Sequence, residues 1–234
     1  MARGHRAHGA DMKPKRPHQR IALAFILIGS LLGYQAVSVC WLWAWPAFNC
    51  LWVGCAYFGI GGQVFGKRED GTMMSEAVLL LLPFLLVTWA TWYVQNFFSS
   101  ESATNEVAPG LWVGRRVFSH ELPPSVTLVV DMTSEFSNPG YEKHVEYLTI
   151  PTLDAFVPSK ARFVAGAEAA AKHEGGVLIY CANGHGRSTA MMAAVLMKKN
   201  LVKSVAEAER LVVLARPLAA WHPAQRALLE ALAA

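Results

Sequence analysis

The sequence predicts a helical membrane segment joined to an α/β domain whose central sheet is flanked by helices. Three observations carry that reading. From Ile21 to Gly66, a run of 46 residues, there is no Asp, Glu, Lys, Arg or His, and from Ala77 to Ser100 there is none again. Uncharged apolar runs longer than about 18 residues are the mark of membrane-spanning helices. After residue 108, short β-branched runs alternate with helix-forming ones, as they do in domains built on a mostly parallel sheet.

The first twenty residues form a basic tail, with Arg3, Arg6, Lys13, Lys15, Arg16 and Arg20 against Asp11. As a single helix the run 21–66 would extend roughly 69 Å, over twice the hydrocarbon core. It must therefore break, and Pro46 and Asn49 interrupt it. Three spans are expected, at 21–43, 47–65 and 76–98, with tryptophans 41, 43, 45, 52, 89 and 92 at their ends as an interfacial belt. The basic tail and Lys67–Arg68 place the N-terminus and the 66–75 loop in the cytoplasm by the positive-inside rule. An odd number of spans then puts the rest of the chain on the opposite, periplasmic face of a cell inner membrane. Residues 99–108, "SSESATNEVA", read as a polar linker, and 109–234 as one domain.

Within that domain "LWVG" (111–114), "SVTLVVDM" (125–132), "HVEYLTI" (144–150) and "VLIY" (177–180) read as strands. Residues 159–173 read as a helix with a serine start and Gly175–Gly176 as its stop. Further helices are expected at 187–199, 205–215 and 223–233. Residues 101–234 hold thirteen Lys+Arg and thirteen Asp+Glu, so this part has no bulk field suited to nucleic acid. Cys40, Cys50 and Cys55 lie in the apolar block as packing residues, which leaves Cys181 alone in the soluble part.

Cys181 begins "CANGHGRS", between a strand and a helix. Gly184 and Gly186 free the backbone to curl, so that the N–H groups of Ala182, Asn183, Gly184, His185, Gly186 and Arg187 can form an anion nest. The helix starting at Arg187 adds its positive end, and Arg187 can fork two donors onto phosphate oxygens. A thiol at the bottom of such a cradle is favoured as the thiolate, which can attack phosphorus in line. A departing alkoxide needs a proton, so an acid must approach from another loop.

The run resembles the Cys-x5-Arg-Ser/Thr signature of the cysteine-dependent protein phosphatases, and its C-x-x-G-x-G-R-S form resembles the dual-specificity branch. "LWVGRRV", "VVDMTSEF" and "RPLAAWHPAQRALLEAL" are similar to that branch's opening strand, second strand and closing Arg-Pro helix pair, so the resemblance covers about 110–232. It implies a phosphocysteine intermediate on Cys181, phosphate binding by 182–187, and a Ser188 hydroxyl that bonds the sulfur and helps it leave. It implies an acid some thirty residues before the cysteine, and Asp154, 27 positions upstream in "IPTLDAF", fits, with Asp131 and Glu135 as rivals. The family usually has His before the cysteine, where this chain has Tyr180.

His120, His144, His173 and His222 show no metal spacing, and neither metal nor cofactor is expected. Glycine spacing and the Arg-Ser pair favour phosphate over rhodanese-like sulfur transfer. The expected function is a membrane-anchored phosphatase acting on phosphorylated protein or a lipid headgroup, with membrane lipids as partners and no nucleic acid. Ala182 and His185 stand where inositide-directed members often carry lysines. The alternative is a membrane-tethered phosphate-binding module without turnover.

Overall fold

The computed structural model describes residues 18–233, so the expected basic tail lies outside the described residues except for its last three. Four helices precede the sheet: α1 (His18–Ser38), α2 (Ala44–Cys55), α3 (Ser75–Leu80) and α4 (Leu82–Phe98). Among the described residues, α1 is the one helix long and apolar enough to cross a membrane, by length and composition, over Gln19–Ser38; a signal sequence has the same properties. The segment expected as one helix at 47–65 is instead broken. α2 ends at Cys55, and Gly59 (φ 145°) and Gly61 (φ 80°) turn the chain through conformations that side chains with a Cβ rarely take. The 76–98 segment breaks at Leu81, because Pro83 in the first turn of α4 has no N–H to continue the ladder.

α1 and α2 form an antiparallel hairpin brought close by small residues. A Cβ on Gly29 would meet Leu51 at 2.8 Å, and one on Gly54 would meet Ile26 at 2.9 Å. The break before α4 frees backbone groups that buried Asn49 takes up: its Nδ2 donates to the Leu80 carbonyl (2.8 Å) and its Oδ1 accepts the Phe84 N–H (3.1 Å). Trp45 Nε1 adds a second donor to Leu80 O at 2.8 Å.

Five strands then form one mixed sheet in the order β1-β2-β5-β3-β4, with β1 antiparallel and the remaining pairs parallel. They are β1 (Thr104–Ala108), β2 (Leu111–Arg115), β3 (Val126–Thr133), β4 (Glu146–Thr152) and β5 (Gly176–Cys181). β1 falls in the stretch read as a linker; its polar residues suit an edge strand, which pairs only with β2. The helices α5 (Lys160–Lys172), α6 (Arg187–Lys198), α7 (Val205–Ala215) and α8 (Pro223–Ala233) follow the expected pattern, with Ser159 capping α5. Strand alternation on β5 sends Val177, Ile179 and Cys181 into the core shared with α5 and α6, and Leu178 and Tyr180 into a second core with Val117, Val129 and Val145.

The helical segment and the sheet domain are fastened together, and this corrects the expected topology. Lys67 Nζ donates to Asp131 Oδ2 (2.5 Å), Thr133 O (2.9 Å) and Thr133 Oγ1 (3.0 Å), with both charged side chains 0% exposed. The Asn138 N–H donates to Gly71 O at 2.8 Å, and Gly62 lies against Ser134 and Pro151. A buried ion pair cannot form across a bilayer, so the 66–75 loop and the 109–234 domain cannot stand on opposite faces of one. Nor is 76–98 free to cross: Trp89 Nε1 donates to Glu135 O (2.9 Å) and Trp92 Nε1 to Ala182 O (2.8 Å).

Candidate active site

The loop after β5 carries the expected cradle. Gly184 sits at φ 78°, and a Cβ there would lie 2.4 Å from the Gly114 carbonyl carbon, so the curl requires glycine on both counts. The loop's carbonyls are each taken by a donor outside it. Ala182 O accepts Trp92 Nε1 and the Arg116 N–H, while Asn183 O and Gly184 O accept the Arg216 guanidinium, each at 2.9 Å. His185 O accepts the Ala220 N–H and the Thr189 hydroxyl. Arg216 is itself buried and also donates to Ser102 O and Asn105 Oδ1, so the edge strand and its approach help hold the loop.

Cys181 is buried, and its Sγ accepts the Gly184 N–H and the Ser188 hydroxyl, each at 3.3 Å. Arg187 lies beside it, 3% exposed. Its Nη1 and Nη2 fork onto Glu135 Oε2 and Oε1 at 3.1 and 2.9 Å, and Nη1 also donates to Thr152 O at 2.7 Å. Nε has no hydrogen-bond partner and stands 3.5 Å from Asp154 Oδ1. Burial alone would lower the guanidinium's pKa, but the charges of Glu135, Asp154 and Cys181 outweigh it and hold it well above its ordinary value. The cation is therefore fixed in place with one donor still to give.

The three carboxylates considered as proton donors separate cleanly. Asp131 is fully buried: burial raises its pKa, but the Lys67 ammonium and hydrogen bonds from Lys67, Tyr147 and Thr133 prevail and hold the carboxyl below its ordinary value. Glu135 is committed to Arg187 and to the Ser134 N–H. Asp154, its side chain 79% exposed, stands at the rim of the cavity that holds Cys181. Its turn is set by Ala155 at φ 58° and closed by the Phe156 N–H on Leu153 O; Gln225 of α8 donates to Phe156 O at 3.3 Å.

Tyr180 does not contact the thiol. Its hydroxyl lies 3.3 Å from that of Tyr147, which donates to Asp131, so the position joins the buried Lys67–Asp131 network on the far side of the sheet. Burial raises the pKa of both phenols, so they remain hydroxyls. His185 turns its ring to Glu101, Nε2 to Oε2 2.6 Å, while its residue still borders the cavity. Asn183 Nδ2 donates to Gln95 Oε1 of α4 at 3.1 Å.

The cavity, about 460 Å³, has two unlike walls. One is the loop with Asp154 and Glu135; the other is built by the N-terminal helices, through Phe25, Val53, Tyr57, Phe65, Phe84 and Trp92. The sequence reading missed this second wall, and missed Glu135 and Arg216 as the groups that hold the cation and the loop. Among the described residues, no group of three His, Cys, Asp or Glu could hold a metal ion.

No protein-family model matches the chain, and no curated protein matches it. Solved structures do. Human DUSP28 is 29% identical over 57% of this chain and 97% of its own, with a TM-score of 0.49. PTPMT1 in complex with PI(5)P is 21% identical over 56% and 94%, with a TM-score of 0.50. A human tyrosine phosphatase-like serine/threonine/tyrosine-interacting protein is 20% identical over 56% and 96%, again with a TM-score of 0.50. The sheet domain has the dual-specificity-phosphatase-like fold that the motif implied, and the matches span little more than half of this chain.

Proposed function

We propose that this chain is a cysteine-dependent phosphatase that hydrolyses phosphate monoesters through a phosphocysteine on Cys181 and is held at a membrane by its N-terminal helices. One observation carries the reading. Cys181 Sγ, an Arg187 locked by Glu135 with its Nε N–H free of hydrogen bonds, and the Asp154 carboxyl share one cavity.

In the first step the Cys181 thiolate attacks phosphorus, the P–S bond forms and the P–O bond to the alcohol breaks. Asp154 gives its proton to the departing oxygen. The loop amides and Arg187 Nε face the equatorial oxygens, where they stabilise charge that is already partly formed in the substrate and redistributed in the transition state. In the second step the Asp154 carboxylate takes a proton from water as the water attacks phosphorus. The thiolate then leaves, its charge eased by the Ser188 hydroxyl, and inorganic phosphate is released. A phosphate-binding module without turnover is favoured by one feature, Tyr180 in place of the usual histidine.

The test is the intermediate itself. Full-length protein in detergent, mixed with p-nitrophenyl phosphate and quenched in the pre-steady state, should carry one phosphoryl group on Cys181 by mass spectrometry. Cys181→Ser should lose both adduct and turnover while still binding vanadate or phosphate. A wild-type protein that binds phosphate but shows neither adduct nor release is the binding module instead.

The proposed membrane arrangement is supported by the packing of the helical segment on the sheet domain. The α1–α2 hairpin leaves the sheet domain and returns to it, with Trp41, Leu42 and Trp43 exposed at its tip. On this reading the start of α1 and the 66–75 loop share the domain's face, and the basic residues that precede α1 in the sequence, with Arg68, make that face cytoplasmic by the positive-inside rule. Protease added to right-side-out membrane vesicles should leave the domain uncut; cleavage within 101–234, with a cytoplasmic control intact, refutes this orientation.

A further inference from the structure

The apolar wall of the cavity is continuous with apolar surface on the outside of the molecule. α4 turns Phe84 toward the cavity and leaves Leu86 and Val94 exposed, and Val87 does both, lining the cavity while 67% exposed. α1 likewise places Phe25 at the cavity and leaves Leu23, Leu27 and Leu31 outside. Exposed apolar residues packed this densely beside a pocket mark an interaction surface rather than scattered surface hydrophobes, and α1, long and apolar enough over Gln19–Ser38 to cross a membrane, makes the bilayer its fitting partner. The route from that surface to Cys181 passes Phe25, Val53, Tyr57 and Phe84 and offers few polar groups. The polar groups of the helical wall include Thr88, whose hydroxyl donates to Phe84 O, Thr91, and Gln95, whose Oε1 accepts from Asn183. An extended peptide would bring backbone N–H and C=O groups with little to pair them, a costly fit. A hydrocarbon chain has no such need.

The charge of the cavity narrows the headgroup. Among its lining residues Arg187 is the sole Arg or Lys, and His185 faces Glu101. Glu135 and Asp154 supply negative charge on the same wall. One phosphate group is accommodated in the cradle, and a second would find carboxylates rather than a cation.

Resting on the phosphatase reading above, we propose that the substrate is a membrane lipid bearing a single terminal phosphate monoester. Its chain lies along Phe25, Val53, Tyr57 and Phe84 and leaves the cavity past Val87 into the bilayer.

A homologous series separates this from the parent reading. Full-length protein in detergent would be assayed on butyl, hexyl and octyl phosphate, monomeric in water and differing only in chain length. The kcat/KM should climb about fourfold for each methylene that the cavity takes in, and should exceed that for a phosphotyrosine peptide. Phosphatidic acid in phosphatidylcholine vesicles should be turned over, and the Val87→Asp variant should collapse the octyl-to-butyl ratio toward one. A flat series, or preference for the peptide, overturns the lipid proposal and leaves the phosphatase standing. No release and no phosphocysteine with any of these substrates overturns both.

Discussion

The two walls of the cavity are built on different principles. The loop wall is held by hydrogen bonds throughout: each carbonyl from Ala182 to His185 has a named donor, and Arg187 is pinned by Glu135 and Thr152. The helical wall is held by aromatic contacts, such as Phe25 on Tyr57 and Phe84 and Tyr57 on Phe156, together with a few polar pins. Its outer face has no partner among the described residues. The loop wall is thus preorganised by the protein itself, as the proposed phosphoryl transfer requires, while on the reading proposed above the helical wall takes its cover from a membrane. Changes on the first wall should show in rate, and changes on the second in stability and substrate choice.

The largest expected effect tests the first wall. Asp154→Asn keeps the shape of the rim but removes the proton, and should slow turnover of an alkyl phosphate by roughly 10²–10⁴-fold. The loss should shrink for a substrate whose leaving group needs no proton, such as p-nitrophenyl phosphate. A uniform, near-normal rate on both would take the acid's role away from Asp154. Asp131 is not a ready substitute, since it lies on the Tyr180 side of the sheet, locked to Lys67.

Next in size is the pin between the walls. Lys67→Met strands a buried carboxylate and should destabilise the protein by about 3–5 kcal/mol, read as a fall in thermal midpoint. Lys67→Met with Asp131→Leu should recover much of that loss. The pH dependence has a definite sign. Asp131 titrates below its unfolded value, so its pairing contributes fully above that value and is lost as the pH falls through the lower, folded one. Wild-type stability should therefore drop on acidification through that window, and the double variant should lose this part of the slope. An unchanged midpoint in Lys67→Met would mean the two segments are not joined there, and the same-face topology would lose its main support.

The sequence made one wall legible and hid the other, for a physical reason. Cys181 to Ser188 is contiguous, so its chemistry can be read from spacing, and β2 to β5 and α5 to α8 around it follow from apolar pattern and end signals, whereas the polar edge strand β1 reads as linker. Glu135 could be named as an acid but not as the partner of Arg187, because 52 residues separate them and the fold supplies the contact. Apolar periodicity does not distinguish a face turned to lipid from one turned to protein. Trp89 and Trp92 therefore read as an interfacial belt, although both donate to carbonyls of the sheet domain. Lys67 read as a topology signal for the same reason: a charge flanking an apolar run marks orientation unless it meets a buried partner, and Asp131 is 64 residues away.

The smallest effect is the most informative about how the walls communicate. Trp92 packs on Phe136 (5.4 Å between ring centres), lies under the Arg116 guanidinium (5.5 Å), and gives its indole N–H to Ala182 O. Phenylalanine at this position keeps a ring against Phe136 and Arg116 and removes the one donor, while the Arg116 N–H still serves that carbonyl at 3.2 Å. Trp92→Phe should then cost about 1 kcal/mol of stability and lower kcat no more than severalfold. If α4 only covers the cavity, the fall should be in kcat/KM for long alkyl phosphates, with p-nitrophenyl phosphate less affected. If α4 also sets the loop, kcat should fall equally for every substrate, because a loosened Ala182 carbonyl disturbs the amides that face phosphate whatever the leaving group.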